Sequence, residues 1–168
     1  DGITALMLAA HKGHIEMVAA LLGSGCDVNA GGDGGTALMA AAEGGHVDVV
    51  NALLAAHAID VNQASGEEKS TALIEAARRG HAEVVVALLA VEGIDVNAAD
   101  ADGYPALIWA AQEGHFEVVT ALLAVDGIDV DVVGEDGTAL TSAARHGHTE
   151  IAAALLARGI DVNAFAAD

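Results

Sequence analysis

Residues 71–97 read Thr71-Ala-Leu-Ile-Glu-Ala-Ala-Arg-Arg-Gly80-His81-Ala-Glu-Val-Val-Val-Ala-Leu88-Leu89-Ala-Val-Glu-Gly-Ile-Asp95-Val-Asn97, and the markers in this stretch return along the whole chain. Gly-His recurs at 13–14, 45–46, 80–81, 114–115 and 147–148, in steps of 32, 35, 34 and 33 residues. Ala-Leu at 5, 37, 72, 106 and 139 keeps the same step, as does Leu-Leu at 21, 53, 88, 122 and 155. Asp-Val-Asn closes units at 27–29, 60–62, 95–97 and 161–163, with Asp129-Val130-Asp131 as the deviation. Three series in register over 168 residues mean a repeat array. The expected units are about 1–32, 33–66, 67–100, 101–134 and 135–168.

Within a unit the periodicity predicts two short helices and a turn. In the fourth unit Leu107, Ala110 and Ala111 stand at i, i+3 and i+4, on one helical face, and alanine there admits a neighbouring helix closely. Gly114-His115 stops that helix, and Glu117 follows in the first turn of the next, where its charge complements the helix N-terminus. Val118, Val119, Leu122 and Leu123 make a second apolar stripe, and Gly127 ends it. The turn-rich stretch that follows reads as a hairpin-like connector. Such a unit cannot bury its apolar face alone, so stability comes from stacking.

The pattern Asp-Gly-x-Thr-Ala-Leu-x-x-Ala-Ala-x-x-Gly-His-x-Glu-x-Val-x-x-Leu-Leu, closed by Gly-x-Asp-Val-Asn, resembles the ankyrin repeat over essentially the whole chain. The resemblance implies an all-α solenoid of helix-turn-helix repeats joined by hairpin-like loops, with Gly-His histidines that tie adjacent units by hydrogen bonds. The usual Thr-Pro-Leu-His of that family stands here as Thr-Ala-Leu-Met at 4–7 and 36–39 and Thr-Ala-Leu-Ile at 71–74. In the fourth unit Pro105 replaces the threonine, and Glu67-Glu68-Lys69 makes a longer acidic loop between the second and third units. Neither terminal unit carries a polar capping helix, so Met7, Leu21, Leu140 and Leu155 are expected to be exposed.

Composition narrows the function. Six basic against 25 acidic residues leave a net charge of −19, which disfavours nucleic acid and anionic membranes. The longest apolar runs fall far short of the ~20 residues of a membrane helix. A single cysteine, Cys26, and the absence of an Asn-x-Ser/Thr acceptor fit a reducing compartment, and a cytoplasmic or nuclear location is the expectation. Asp1-Gly2-Ile3 has neither an initiator methionine nor a signal-like segment and suggests an excised piece.

No catalytic or metal constellation emerges. Five of the eight histidines are the Gly-His residues. Asp100-Ala101-Asp102-Gly103 would place Ala98 and Trp109 where a calcium loop needs carboxylates. Gly31-Gly32-Asp33-Gly34-Gly35 lacks the Lys-Ser/Thr of a phosphate loop. Cys26 aligns with Ile59, Ile94, Ile128 and Ile160 and is expected to fill core space. No enzyme activity and no cofactor are expected.

What varies is the part of each first helix that misses the core: Leu8, His11 and Lys12; Ala40, Glu43 and Gly44; Glu75, Arg78 and Arg79; Trp109, Gln112 and Glu113; Ser142, Arg145 and His146. Ankyrin-like arrays bind partners with this concave face and the adjoining loop tips, so the resemblance makes it the candidate partner site. Four of the six basic residues, Lys12, Arg78, Arg79 and Arg145, lie there, and Arg78 and Arg79 are candidates to pair with a carboxylate or phosphate of a partner. Tyr104, Trp109 and Phe116, three of four aromatics, concentrate in the fourth unit, with Tyr104 expected at a loop tip and Trp109 toward the groove. The expected function is a monomeric, non-enzymatic module for a protein or peptide partner. The alternative is a structural spacer or self-associating segment of a longer repeat protein.

Overall fold

The computed structural model describes residues 2–164, and among them the chain forms ten helices in five pairs. The first helices are α1 (Ala5–His11), α3 (Ala37–Glu43), α5 (Ala72–Arg79), α7 (Ala106–Glu113) and α9 (Ala139–His146). The second helices are α2 (Ile15–Gly23), α4 (Val47–Leu54), α6 (Ala82–Leu89), α8 (Phe116–Leu123) and α10 (Thr149–Ala157). First helices stack on first helices and second on second, giving two layers. Between α2 and α3 a two-residue strand pair, β1 (Gly31–Gly32) and β2 (Gly35–Thr36), runs antiparallel with Gly31 opposite Thr36. The later connectors reduce to single bridges, Ser65 with Ser70, Ala99 with Pro105 and Gly134 with Gly137.

Local chemistry sets each boundary. Thr4, Thr36, Thr71 and Thr138 cap the first helices, each hydroxyl accepting the backbone N–H of the residue three positions on. Pro105 offers no such cap at α7. Gly80, Gly114 and Gly147 end α5, α7 and α9 in the left-handed conformation.

The alanine pairs Ala9 and Ala10, Ala41 and Ala42, Ala76 and Ala77, and Ala110 and Ala111 are buried where the first helices approach one another. Of each Leu-Leu pair the first leucine is fully buried at Leu53, Leu88, Leu122 and Leu155, a burial that contributes roughly 1.5–3 kcal/mol per side chain. Cys26 is half-buried against the core, as are Ile59, Ile94 and Ile128 at the matching positions of later units.

Two ladders lock neighbouring units. The ring Nε2 of His46 donates to the carbonyl of His11, His81 to Glu43, His115 to Arg78 and His148 to Gln112, at 2.9–3.1 Å. Gly13, Gly45, Gly80 and Gly114 each lie against the next unit's imidazole. A Cβ on Gly80 would lie 2.5 Å from His115 Nδ1, and φ there is +76°. In the second ladder Asn29, Asn62 and Asn97 each donate to a carbonyl of the following unit and accept the N–H of Asp60, Asp95 and Asp129. Asp131, the deviant, keeps only the accepting half, from Asp161 N–H at 2.7 Å.

The expectation for the end faces needs correction. Met7 is buried like its counterparts Met39, Ile74 and Ile108, on a helix that packs against α3 of the next unit, and Leu155 is buried because its covering unit lies on the N-terminal side. Leu21 and Leu140 are half-buried. The uncovered apolar positions are others. Met17 is 55% exposed where Val49, Val84, Val118 and Ile151 are buried, and Leu156 is 49% exposed.

Candidate interaction face

The residues that the first helices withhold from the core do not all reach solvent. Leu8, His11, Lys12, Arg79, Glu113, Arg145 and His146 are exposed, Arg78, Trp109 and Gln112 are half-buried, and Glu75 and Ser142 are buried. One cluster forms between the third and fourth units. Trp109 lies edge-on to Tyr104 at 5.5 Å, and the Arg78 guanidinium sits 5.5 Å from the indole centroid, within cation–π range. Trp109 Nε1 donates to Asp100 Oδ2 at 2.7 Å, and Asp100 Oδ1 accepts the N–H of Tyr104 at 2.8 Å. Asp100 thus ties the loop to α7, where Pro105 leaves the helix without a side-chain cap.

Tyr104 is not at an open loop tip. It is 7% exposed, its ring packs where Gly134 leaves room, and its hydroxyl accepts the N–H of Asp136 at 2.9 Å. Burial pushes the phenol pKa up, against the opposing effect of that N–H. Tyr104 therefore braces Trp109 from behind, and Trp109 is the aromatic that remains accessible.

The arginines are engaged. Arg78 meets Glu75 at 2.8 Å and Glu68 at 3.4 Å, and Arg79 meets Glu43 of the preceding unit at 2.6 Å. Burial opposes the charge on Arg78, but Glu75 first, and then Glu68 and Glu43, outweigh it, so its pKa is raised. Arg145 holds Asp136 through the backbone carbonyl at 3.0 Å and the carboxylate at 3.6 Å. The reading of Arg78 and Arg79 as receptors for a partner's anion meets an obstacle here, since each guanidinium already carries a carboxylate.

The remaining candidates spread along the array. Gln112 donates to Glu113 at 3.3 Å, and its carbonyl serves the histidine ladder. His146 donates to the Ser142 carbonyl and stacks 6.0 Å from His148. Lys12 stands at the C-terminal end of α1, apart from the central cluster. Sequence reasoning missed Asp100 and Glu68 as members of this face and, having placed Glu43 on it, missed its ion pair with Arg79. The signal for that pair was the offset of one unit between Glu43 and Arg79, which periodicity shows but side-chain reach decides.

Among the described residues no group of three or more His, Cys, Asp or Glu is arranged to hold a metal, and no helix is long and apolar enough to cross a membrane.

The family profile described as ankyrin repeats, in three copies, matches residues 1–65 and 73–166. With five stacked helix pairs, the histidine ladder and the hairpin-like connectors in place, the chain belongs to the ankyrin-repeat family. A comparison with curated proteins gave no match.

Proposed function

We propose that this chain is a non-enzymatic module that holds a protein or peptide partner on the face of its first helices and adjoining loops. Ankyrin repeats are generally protein-interaction modules. The observation that carries the reading is Trp109. It is the only tryptophan, half-buried, oriented by Asp100, backed by the buried Tyr104 and flanked by Arg78. A large, rigid and pre-positioned aromatic beside an arginine is the composition of a binding hot spot. Gln112 and Glu113 extend the surface on the same helix, Glu75, Arg78 and Arg79 on the preceding one, and Arg145 and His146 on the following one, with Lys12 at the far end. The free thiol of Cys26 and the lack of a disulfide are compatible with a reducing cytoplasmic setting. The test is acrylamide quenching of Trp109 with and without a bound partner. Protection on binding supports the assignment, and unchanged quenching in a saturated complex refutes it.

A second reading, self-association through the ends, is favoured by one observation. Met17 and Leu21 at one end, and Leu140 and Leu156 at the other, are more exposed than their counterparts in interior units. Each end thus presents apolar positions that interior units keep covered, the surface that a head-to-tail contact would bury. Sedimentation across a concentration series tests it: association that Met17→Lys abolishes supports end stacking, and a constant monomer mass refutes it.

A further inference from the structure

The turns 33–35 and 65–70 border an open pocket of about 310 Å³ beside the Trp109 cluster, which touches it only through the Arg78 pairs with Glu68 and Glu75. Its walls include Met39, Ser65, Glu67, Glu68, Ser70 and Glu75. The volume is at the low end of ligand sites, roughly 300–1,000 Å³, so it suits one long side chain better than a cofactor. Arg78 neutralises part of the acidic wall by pairing with Glu75 and Glu68, whereas Glu67 makes no ion pair among the described residues. A set of acidic residues alone would say little. The independent observation is Ser70, which is 4% exposed and whose hydroxyl has no hydrogen-bond partner among the described residues. A buried hydroxyl left unpaired is unfavourable, and a donor entering the cavity would relieve it.

We propose that this cavity seats the guanidinium of an arginine side chain carried by the partner, an inference that rests on the binding role proposed above. The forked donors of a guanidinium can serve the Glu67 and Glu68 carboxylates and the Ser70 oxygen together, while its methylene stem lies along Met39. A lysine ammonium, a single point of charge, satisfies fewer of these groups. The net charge of −19 adds long-range attraction for a basic segment.

The probe is N-acetylarginine amide, titrated into the ¹⁵N-labelled protein, with N-acetyllysine amide and N-acetylnorleucine amide as comparisons. Saturable shifts confined to Gly34, Gly35, Gly66 and Ser70, and weakened about tenfold in Glu67→Gln/Glu68→Gln, are expected. Both substituted residues are exposed, and retained helical circular dichroism establishes that the variant folds. Equal binding of the lysine or norleucine amide, or shifts spread over unrelated acidic turns such as Asp126 and Asp129, overturns the assignment. Partner capture separates the two proposals. Capture that needs Trp109 but survives Glu67→Gln/Glu68→Gln removes the arginine socket and leaves the interaction face standing, whereas capture indifferent to Trp109 removes both.

Discussion

Trp109 Nε1 and Asp100 Oδ2 stand 2.7 Å apart, so the indole of the fourth unit is held by a carboxylate from the loop that precedes it. Binding sites profit from side chains whose orientation is fixed before the partner arrives, because less freedom is lost on association. In free protein the half-buried indole is expected to emit at a wavelength between those of buried and fully exposed tryptophan and to be quenched by acrylamide. Asp100→Ala should shift the emission further to the red and raise the quenching constant. A blue emission that acrylamide does not reach would contradict this geometry.

Core and face respond differently to truncation. Leu88→Ala removes a fully buried side chain between stacked units and is expected to cost about 2–5 kcal/mol. Arg79→Ala breaks only an exposed pair with Glu43 and should cost well under ~1 kcal/mol. Urea unfolding of the two variants checks the contrast, and equal losses would refute the assignment of faces.

The histidine ladder predicts a difference between two glycines of similar backbone. Gly80 and Gly147 have φ of +76° and +75°, but a Cβ on Gly147 meets nothing within 4 Å, whereas one on Gly80 strikes the His115 ring. Gly147→Ala should therefore cost only the left-handed strain, about 1–2 kcal/mol. Gly80→Ala should cost at least ~1 kcal/mol more, through the displaced His115 bond to Arg78 O. His115→Ala in the Gly80→Ala background should be less damaging than in the wild type. Thermal or urea denaturation of the four proteins completes the cycle.

Tyr104 adds a dependence on pH. Its folded-state pKa is raised from 10.0, so the folded state retains the proton more firmly than the unfolded chain. That contribution to stability is fully present below about pH 10 and is lost as the pH rises through the raised pKa. Tyr104→Phe should remove this alkaline decline and, by stranding the Asp136 N–H, cost about 1 kcal/mol at neutral pH. Ultraviolet titration of the only tyrosine, with stability measured from pH 8 to 11, checks both.

The architecture was legible because it rests on local, repeated signals. Gly-His fixes a helix end and a ladder contact, and Thr-Ala-Leu fixes a capped helix start. The phase of Leu53, Leu88, Leu122 and Leu155 fixes the core. The face was legible in outline only. Glu75 and Ser142 occupy the same register position as Trp109 yet are buried, because their size and partners differ while their spacing does not. Tyr104 turns inward because Gly134 and Asp136, one unit away, offer a space and a donor. Arg79 finds Glu43 across 36 residues. Met17 shows the same limit at the array's end, since no feature of its own helix distinguishes it from Val49.

The central claim is that Trp109 and its neighbours form the partner-binding surface. Capture from a lysate by the wild-type chain, Trp109→Ala and Thr120→Ala, quantified by mass spectrometry, tests it most directly. Thr120 is exposed on α8, in the layer of second helices. A partner retained by the wild type and Thr120→Ala but depleted at least tenfold by Trp109→Ala is the predicted result. Equal retention by Trp109→Ala, or depletion only by Thr120→Ala, would place binding elsewhere and contradict the account.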